Sequence, residues 1–470
     1  MPLPISHSMP PARVETQASV CADAIVRVLA RSLLERRPAD RCLRDEFYAN
    51  RQFGSRDRHL ISETLFSLLR WWGWLRLVAP VPFLDAWQSK QTESPEITRE
   101  EWFPCLAAAW MLEGEDTPEA VAFWCQTARL PRQLLDGPND DSLEARKRFL
   151  EACLGLKGLS TDDLLPNWAC QYAGLSEPRK RLELTLWHQR RPPVWLRGQL
   201  ADSRRLVRQL REEEVQVLPH ERVPLAFRVL PATTANLRAT QSFRHGDFEI
   251  QDISSQATSL LCRPQPGQQW WDACAGGGGK TLHLAWLMQG KGSVLATDIR
   301  LHKLEELRLR ARRAQFPNIR YKEWKGKPMP TFRGRFDGVL VDAPCSCSGT
   351  WRRNPGGRWT TTEEDVQDCA QLQRQLLENA APAVKPGGLL VYSTCSMFPA
   401  ENQDVVRDFL AAHPEFSLEP DCNPLTGVPT DGTCLILHQD GDGDAMFTAR
   451  LRRQGAKTAT VQSSTLKTHK

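Results

Sequence analysis

Apolar positions recur every three to four residues along the first part of the chain, the spacing of a helix with one buried face. Alanine, leucine and arginine recur in this way across residues 20–37, and Leu60, Ile61, Leu65, Leu68 and Leu69 form an apolar stripe within residues 57–74. Residues 102–112 and 118–128 continue the pattern up to Gly137, Pro138 and Asn139, which favour a turn. The pattern predicts an all-α N-terminal domain over residues 1–150. Trp71, Trp72 and Trp74 suit packing at a helix end, with stacking on RNA bases as the alternative.

Residues 151–250 mix two periods. Residues 159–190 read as helical, after which Pro192 and Pro193, lacking backbone donors, lead into the apolar strand of Val194, Trp195 and Leu196. A helix over 200–214 and strands over 223–229 and 248–250 complete a small α+β linker module. Its interleaved arginines fit an RNA-facing surface or a plain solvated one.

Beyond it, strand signals at 270–273, 293–299, 336–341 and 389–393 alternate with helical or glycine-rich stretches, and 446–453 has strand character. This alternation predicts a C-terminal α/β Rossmann-like domain over 251–453, with a parallel sheet whose strand carboxyl ends border the ligand crevice. Residues 454–470, rich in Thr, Ser and Lys, read as a disordered tail. The fold class is therefore multidomain.

Composition narrows the functional classes. The 470 residues are 41% hydrophobic and 25% charged, as in a soluble globular chain, and no apolar run approaches the roughly 18 residues that span a bilayer. A transmembrane role is not expected. A net charge of +5 permits a nucleic-acid face, so local clustering decides. Basic residues gather across 300–335 and return at Arg352, Arg353 and Arg358, which makes these three the candidates for RNA-backbone contact. The 14 cysteines contain no C-x-x-C pair, and the opening MPLPISHSMPPAR lacks the apolar core of a signal peptide. Reduced thiols in a cytoplasmic protein are expected, some of them available for catalysis.

The most informative loop runs Asp272, Ala273, Cys274, Ala275, Gly276, Gly277, Gly278, Gly279, Lys280, Thr281, after a strand and before a helix. Consecutive glycines let a ligand approach backbone donors. A nucleotide-hydrolysing phosphate loop would need glycine where Cys274 stands, so a methyltransferase cofactor loop is the better comparison. Asp298, ending the next strand, sits where a carboxylate accepts hydrogen bonds from ribose hydroxyls. Two further strand ends carry thiols. Asp342-Ala343-Pro344-Cys345-Ser346-Cys347 follows one, and Thr394-Cys395-Ser396 the other, so thiols and a carboxylate converge on one rim.

With these motifs the chain resembles the RsmB/NOP2/Sun family of S-adenosylmethionine-dependent RNA (cytosine-5) methyltransferases. The resemblance rests on Asp342 to Ser346 and Thr394 to Ser396, and extends to residues 248–256, the loop at 272–281, Arg352-Arg353-Asn354-Pro355, Glu401-Asn402 and residues 447–453. It implies a class I methyltransferase domain with S-adenosylmethionine as cofactor. It further implies Cys395 as the nucleophile at cytosine C6, Asp342 as the group near N3, and Cys345 as the thiol that assists C5 proton removal and release. The cofactor is implied at Cys274, Ala275, Gly276, Gly277, Gly278, Gly279, Lys280, Asp298, Glu323 and Asp342.

Several positions depart from the family pattern. Gly277 replaces a usual proline, Cys347 a usual glycine, and the adenine-side aspartate is absent around Lys322-Glu323-Trp324, leaving Glu323 or Trp324 in that role. A zinc deaminase would need an H-x-E motif and P-C-x-x-C, whereas Pro344-Cys345-Ser346-Cys347 has the wrong spacing; no metal is expected. Residues 54–70 resemble the NusB-like domain of ribosomal members, so 16S rRNA is the first substrate expected. A tRNA, or a non-catalytic role in ribosome assembly, is the alternative, and a monomer is expected.

Overall fold

Ala18, Ala22, Ile25 and Leu29 share one face of the helix Pro11–Leu33, and burying that face starts the N-terminal core. The helices Ser55–Arg70, Arg99–Met111 and Glu119–Thr127 pack into the same core. In this computed structural model the described residues are 9–114, 116–174, 177–200 and 202–455. Residues 456–470, where most of the expected disordered tail falls, lie outside them.

The chain divides into two compact units. The first comprises the chain to Pro192 together with Ser346–Asp368 and Cys395–Pro399. Its tryptophans settle the choice left open above: Trp71, Trp72 and Trp74 are completely buried, with Trp72 edge-on to Phe83 and Trp87. They are core, not base platforms. The helical stretch expected over 159–190 is broken into Thr161–Leu164, Asn167–Tyr172 and Pro178–His188. Pro166 and Pro178 cause the breaks, since each precedes or opens a new helix where it cannot extend an old one.

The second unit holds two main sheets. Strands β1 (Trp195–Gly198), β2 (Val217–Pro219), β3 (Ala226–Val229) and β4 (Phe248–Ile250) form an antiparallel sheet in the order β2-β3-β1-β4. The larger sheet contains β5 (Gln269–Asp272), β6 (Ser293–Asp298), β7 (Ile319–Glu323), β8 (Phe336–Asp342), β9 (Val384–Thr394) and β10 (Phe416–Leu418). A two-stranded ribbon, β11 (Asp421–Cys422) and β12 (Pro429–Thr430), precedes β13 (Thr433–Ile436) and β14 (Met446–Arg453). The large sheet is ordered β10-β14-β9-β8-β5-β6-β7, with β13 also on β14.

Strands β5 to β9 are parallel, as expected, but β14 runs antiparallel to β9, β10 and β13. For the β13 pair the reason is the short link, which cannot make the crossover that a parallel partner requires. Successive strand residues feed opposite faces of the sheet. Trp271, Val339, Val341 and Leu390 enter one core, and Trp270, Leu340, Leu389 and Val391 the other. Among the described residues no helix is long and apolar enough to cross a membrane.

One close approach tests the packing of the helical unit. A Cβ added at Gly73 would lie 2.0 Å from the Asp163 carbonyl oxygen, and Trp74 Nε1 donates to Ser160 O at 2.6 Å beside it. Gly73→Ala should cost about 2 kcal/mol or more of stability through overpacking, read as a lower urea midpoint at unchanged slope.

Candidate active site

The loop leaving β5 is shaped by its glycines. Gly276 has φ +52° and Gly278 φ +85°, and a Cβ at Gly278 would meet Leu307 Cγ at 2.2 Å. Only glycine supplies both conformation and space there. Gly276 N donates to Asp298 Oδ2 at 2.9 Å, and Ala275 N to Thr297 O at 2.8 Å, which ties the loop to the end of β6. Burial acts to raise the Asp298 pKa, but hydrogen bonds from Arg300 and from Gly276 N outweigh it and hold the carboxyl below its ordinary value. Asp298 is thus an ionised acceptor beside the loop.

Gly277, where the family pattern has proline, is restrained from outside. Arg310 Nη1 donates to its carbonyl at 2.5 Å, while Arg310 Nε and Nη2 donate to Glu249 Oε2 at 3.2 and 2.9 Å. Sequence reading took Arg310 only as part of a basic run, because nothing local shows that a helix residue reaches a loop 33 positions earlier. Lys280 Nζ donates to Asp342 Oδ2 at 2.8 Å, joining the glycine loop to the end of β8. Burial, reinforced by Asp272, Asp342 and Asp298, keeps the Cys274 thiol well above its ordinary pKa, hence protonated.

The two residues at the end of β7 differ in setting. Trp324 is buried against Trp271, with ring centroids 5.0 Å apart, and its Nε1 donates to Lys327 O at 2.7 Å. Glu323 instead ends β7 in register with Asp298 on β6 and is exposed. The glycine conformations, the ionised Asp298 and Glu323 together fit a cofactor that carries ribose and an adenine ring.

Strands β8 and β9 are parallel neighbours, with Asp342 paired with Ser393, and Ala343 N donates to Ser393 O at 2.9 Å one step further. Cys345 follows three residues after Asp342, and Cys395 two after Ser393. Gln373, fully buried, donates from Nε2 to Pro344 O at 2.9 Å and to Glu401 Oε1 at 3.0 Å. It was missed in the sequence. A signal existed, since Gln373 interrupts the buried stripe of Ala370, Leu377 and Ala380 at helical spacing.

Beyond these strand ends the chain is held by serines of the first unit. Ser348 Oγ lies 3.2 Å from Ser396 Oγ and accepts from Met397 N at 2.8 Å; Gly349 N donates to Cys395 O at 2.9 Å. The Cys347 and Cys395 sulfurs lie within 4.8 Å of each other.

The three arginines expected at an RNA surface do not share a setting. Arg352 and Arg358 are fully buried. Arg358 Nη1 donates to Leu164 O and Nη2 to His188 O, both at 3.0 Å, and Arg352 donates to Arg190 O and Arg191 O. A guanidinium holding backbone carbonyls inside the helical unit is not a surface contact, which corrects the expectation for these two. Arg353 is exposed. Trp351 and Trp359 are likewise packed, the latter donating from Nε1 to Leu69 O at 2.6 Å.

Asp272 gives this region a pH signature. It is buried at the end of β5, accepting from Thr281 Oγ1 at 2.6 Å, with no hydrogen-bond partner at Oδ1. Burial pushes its pKa up to about 7. The folded state therefore takes up a proton between the ordinary carboxyl range and pH 7, and stability falls as pH rises through that window. Asp272→Asn should flatten that fall, which urea unfolding across pH 4 to 8 would reveal.

Comparison with known proteins agrees with this geometry. Residues 259–452 match the family model described as 16S rRNA methyltransferase RsmB/F. Ribosomal RNA small subunit methyltransferase B of Salmonella paratyphi A is 33% identical over 297 residues, and its Yersinia pseudotuberculosis counterpart 34% over 292. Each alignment covers 61% of this chain, which spans 66% of the length of either relative. Among solved structures, a methyltransferase homolog protein from Pyrococcus horikoshii is 27% identical with a TM-score of 0.52, covering 63% of this chain and 96% of that one. The solved protein PH0851 shares the fold at a TM-score of 0.72 and 24% identity, over 95% of this chain and 99% of its own. With the motifs after β5, β8 and β9 in the arrangement described, the chain belongs to the RsmB/NOP2/Sun family.

Proposed function

We propose that this protein transfers a methyl group from S-adenosylmethionine to C5 of cytosine in RNA, through a covalent adduct between Cys395 and cytosine C6. The observation that carries the reading is the parallel pairing of β8 and β9, which brings the chains bearing Asp342, Cys345 and Cys395 to the sheet rim that also bears the glycine loop.

Cytosine C5 is a poor nucleophile until a thiolate adds at C6 and pushes electron density onto it. Cys395 supplies that thiolate, and a thiolate also leaves readily when the adduct collapses. Asp342, held by Lys280, bonds the ring near N3 and stabilises the developing charge. S-adenosylmethionine, when bound, supplies the electrophilic sulfonium methyl that C5 takes up. Cys345 then accepts the C5 proton, and the Cys395–C6 bond breaks to release product.

Residues Cys274, Ala275, Gly276, Gly277, Gly278, Gly279 and Lys280 would line the cofactor, with Asp298 accepting from its ribose hydroxyls and Glu323 on the adenine side. The target base must leave its stack to meet a thiol at the rim, which favours an exposed or locally opened RNA segment. The exposed Arg353 and the basic stretch across 300–335 would neutralise phosphates. Small-subunit ribosomal RNA is the substrate favoured, on two supports: the names carried by the curated relatives, and the resemblance of residues 54–70 to a NusB-like domain.

The test is transfer of radiolabelled methyl from S-adenosylmethionine to unmodified small-subunit rRNA, with nucleoside analysis of the product. Label should appear as 5-methylcytidine, and Cys395→Ala should lower it at least about a thousandfold. Label on tRNA alone would move the substrate; RNA binding without label on either would leave an assembly role. Cys345→Ser should accumulate an enzyme–RNA adduct that survives denaturing electrophoresis, because the C5 proton then stays in place.

A further inference from the structure

We propose that Cys347 and Cys395 form an oxidisable pair, in which a hydroperoxide converts the two thiols to a disulfide that caps Cys395. The chemistry of the pair stands by itself; its consequence for turnover rests on the nucleophile role proposed for Cys395.

Two observations place the pair together. The sulfurs lie within 4.8 Å of each other, and the backbones beside them are fixed by the Gly349 N to Cys395 O hydrogen bond of 2.9 Å. A disulfide needs Cβ atoms about 3.5–4.5 Å apart and sulfurs about 2 Å apart, so the two sulfurs must approach each other for the bond to form. Exposure supplies the rest. Cys347 is exposed and Cys395 half-buried, whereas Cys21, Cys105, Cys262 and Cys434 are core residues. Burial pushes the Cys21 and Cys434 thiols up to about 12 and those of Cys105 and Cys262 higher still, which leaves them inert.

Cys347 also sits at an unusual place in the backbone. Its φ is +57°, a left-handed conformation that a side chain seldom adopts, just before the short turn Ser348–Thr350. That turn is the one whose Ser348 Oγ holds Ser396 and Met397, so the loop presenting Cys347 and the loop presenting Cys395 are one hydrogen-bonded assembly.

The reaction balances with hydrogen peroxide as oxidant. The Cys395 thiolate attacks one peroxide oxygen, the O–O bond breaks, and Cys395 becomes a sulfenic acid while hydroxide takes up a proton as water. The Cys347 thiolate then attacks the sulfenic sulfur, the S–S bond forms, and a second water leaves. Two thiols and one peroxide thus give one disulfide and two waters, and a dithiol reverses the change by exchange. Cys345 is the rival thiol, its sulfur also lying within 4.8 Å of the other two; it is half-buried where Cys347 is exposed.

The test treats reduced full-length protein with hydrogen peroxide, blocks remaining thiols, and maps linked peptides by mass without reduction. The expected result is a Cys347–Cys395 linkage, methyl transfer reduced to under a tenth, and recovery on adding dithiothreitol. Cys347→Ser should show no such linkage, match the untreated wild type in activity, and recover less after peroxide because its sulfenic acid oxidises further. No linkage, or one joining Cys345 to either thiol instead, overturns the proposal. A Cys347–Cys395 linkage formed with full methyl transfer would uphold the pair and overturn the nucleophile role of Cys395.

Discussion

Parallel pairing of β8 with β9 is the constraint on which the candidate site depends. Two strands in fixed register end together, so whatever their loops carry begins at a common edge. Pairing alone fixes only the last strand residues. The Ala343 N to Ser393 O bond extends the register, and Gln373 bonds both Pro344 O and Glu401 Oε1 from a helix on one face of the sheet. Thr394 Oγ1 donates to Asn402 Oδ1 at 2.5 Å, so the end of β9 is held as well. A buried amide that spans two loops carries geometric information that apolar packing cannot, because its hydrogen bonds are lost if either loop slides.

The helical unit includes two segments from late in the chain. Ser346–Asp368 and Cys395–Pro399 belong to it by their contacts, and both are tied into it by polar bonds as well as rings. Phe398 packs against Trp168, Tyr172 and Trp351, with centroids 5.6, 5.7 and 6.0 Å away. Arg358 is a buried cation whose Nη1 and Nη2 donate to carbonyls, and burial lowers its pKa to about 9. Removing one partner from such a cation is costly, so the segment has one well-defined seat. The loop carrying Cys395 is thereby positioned by residues more than 200 positions earlier in the chain.

Much of this was legible in the sequence where local chemistry decides the outcome. The glycine run after β5, Asp298 after β6 and the thiols after β8 and β9 all lie at strand ends that period-two and apolar patterning located. The polar edge strand β7 was not, because Arg320, Tyr321, Lys322 and Glu323 bury little and leave no apolar signature. The antiparallel entry of β14 beside β9 is a matter of strand direction, which periodicity does not report. Arg352 and Arg358 were misread for a related reason: charge in a sequence suggests solvent, and only the fold shows that their partners are carbonyls of a distant helix end. Arg310 and Gln373 act across 33 and 28 or more positions, beyond any local pattern.

The central claim is that Cys395, and not its neighbour across the rim, attacks cytosine. It is tested most directly with small-subunit rRNA transcribed with 5-fluorocytidine, where fluorine at C5 blocks the proton loss that normally releases the enzyme. Incubation with S-adenosylmethionine, digestion and peptide mass mapping would then identify the residue that holds the nucleotide. The account predicts one adduct, on the peptide containing Cys395. An adduct on Cys345, or methyl transfer to ordinary rRNA with no adduct on the fluorinated RNA, would contradict it.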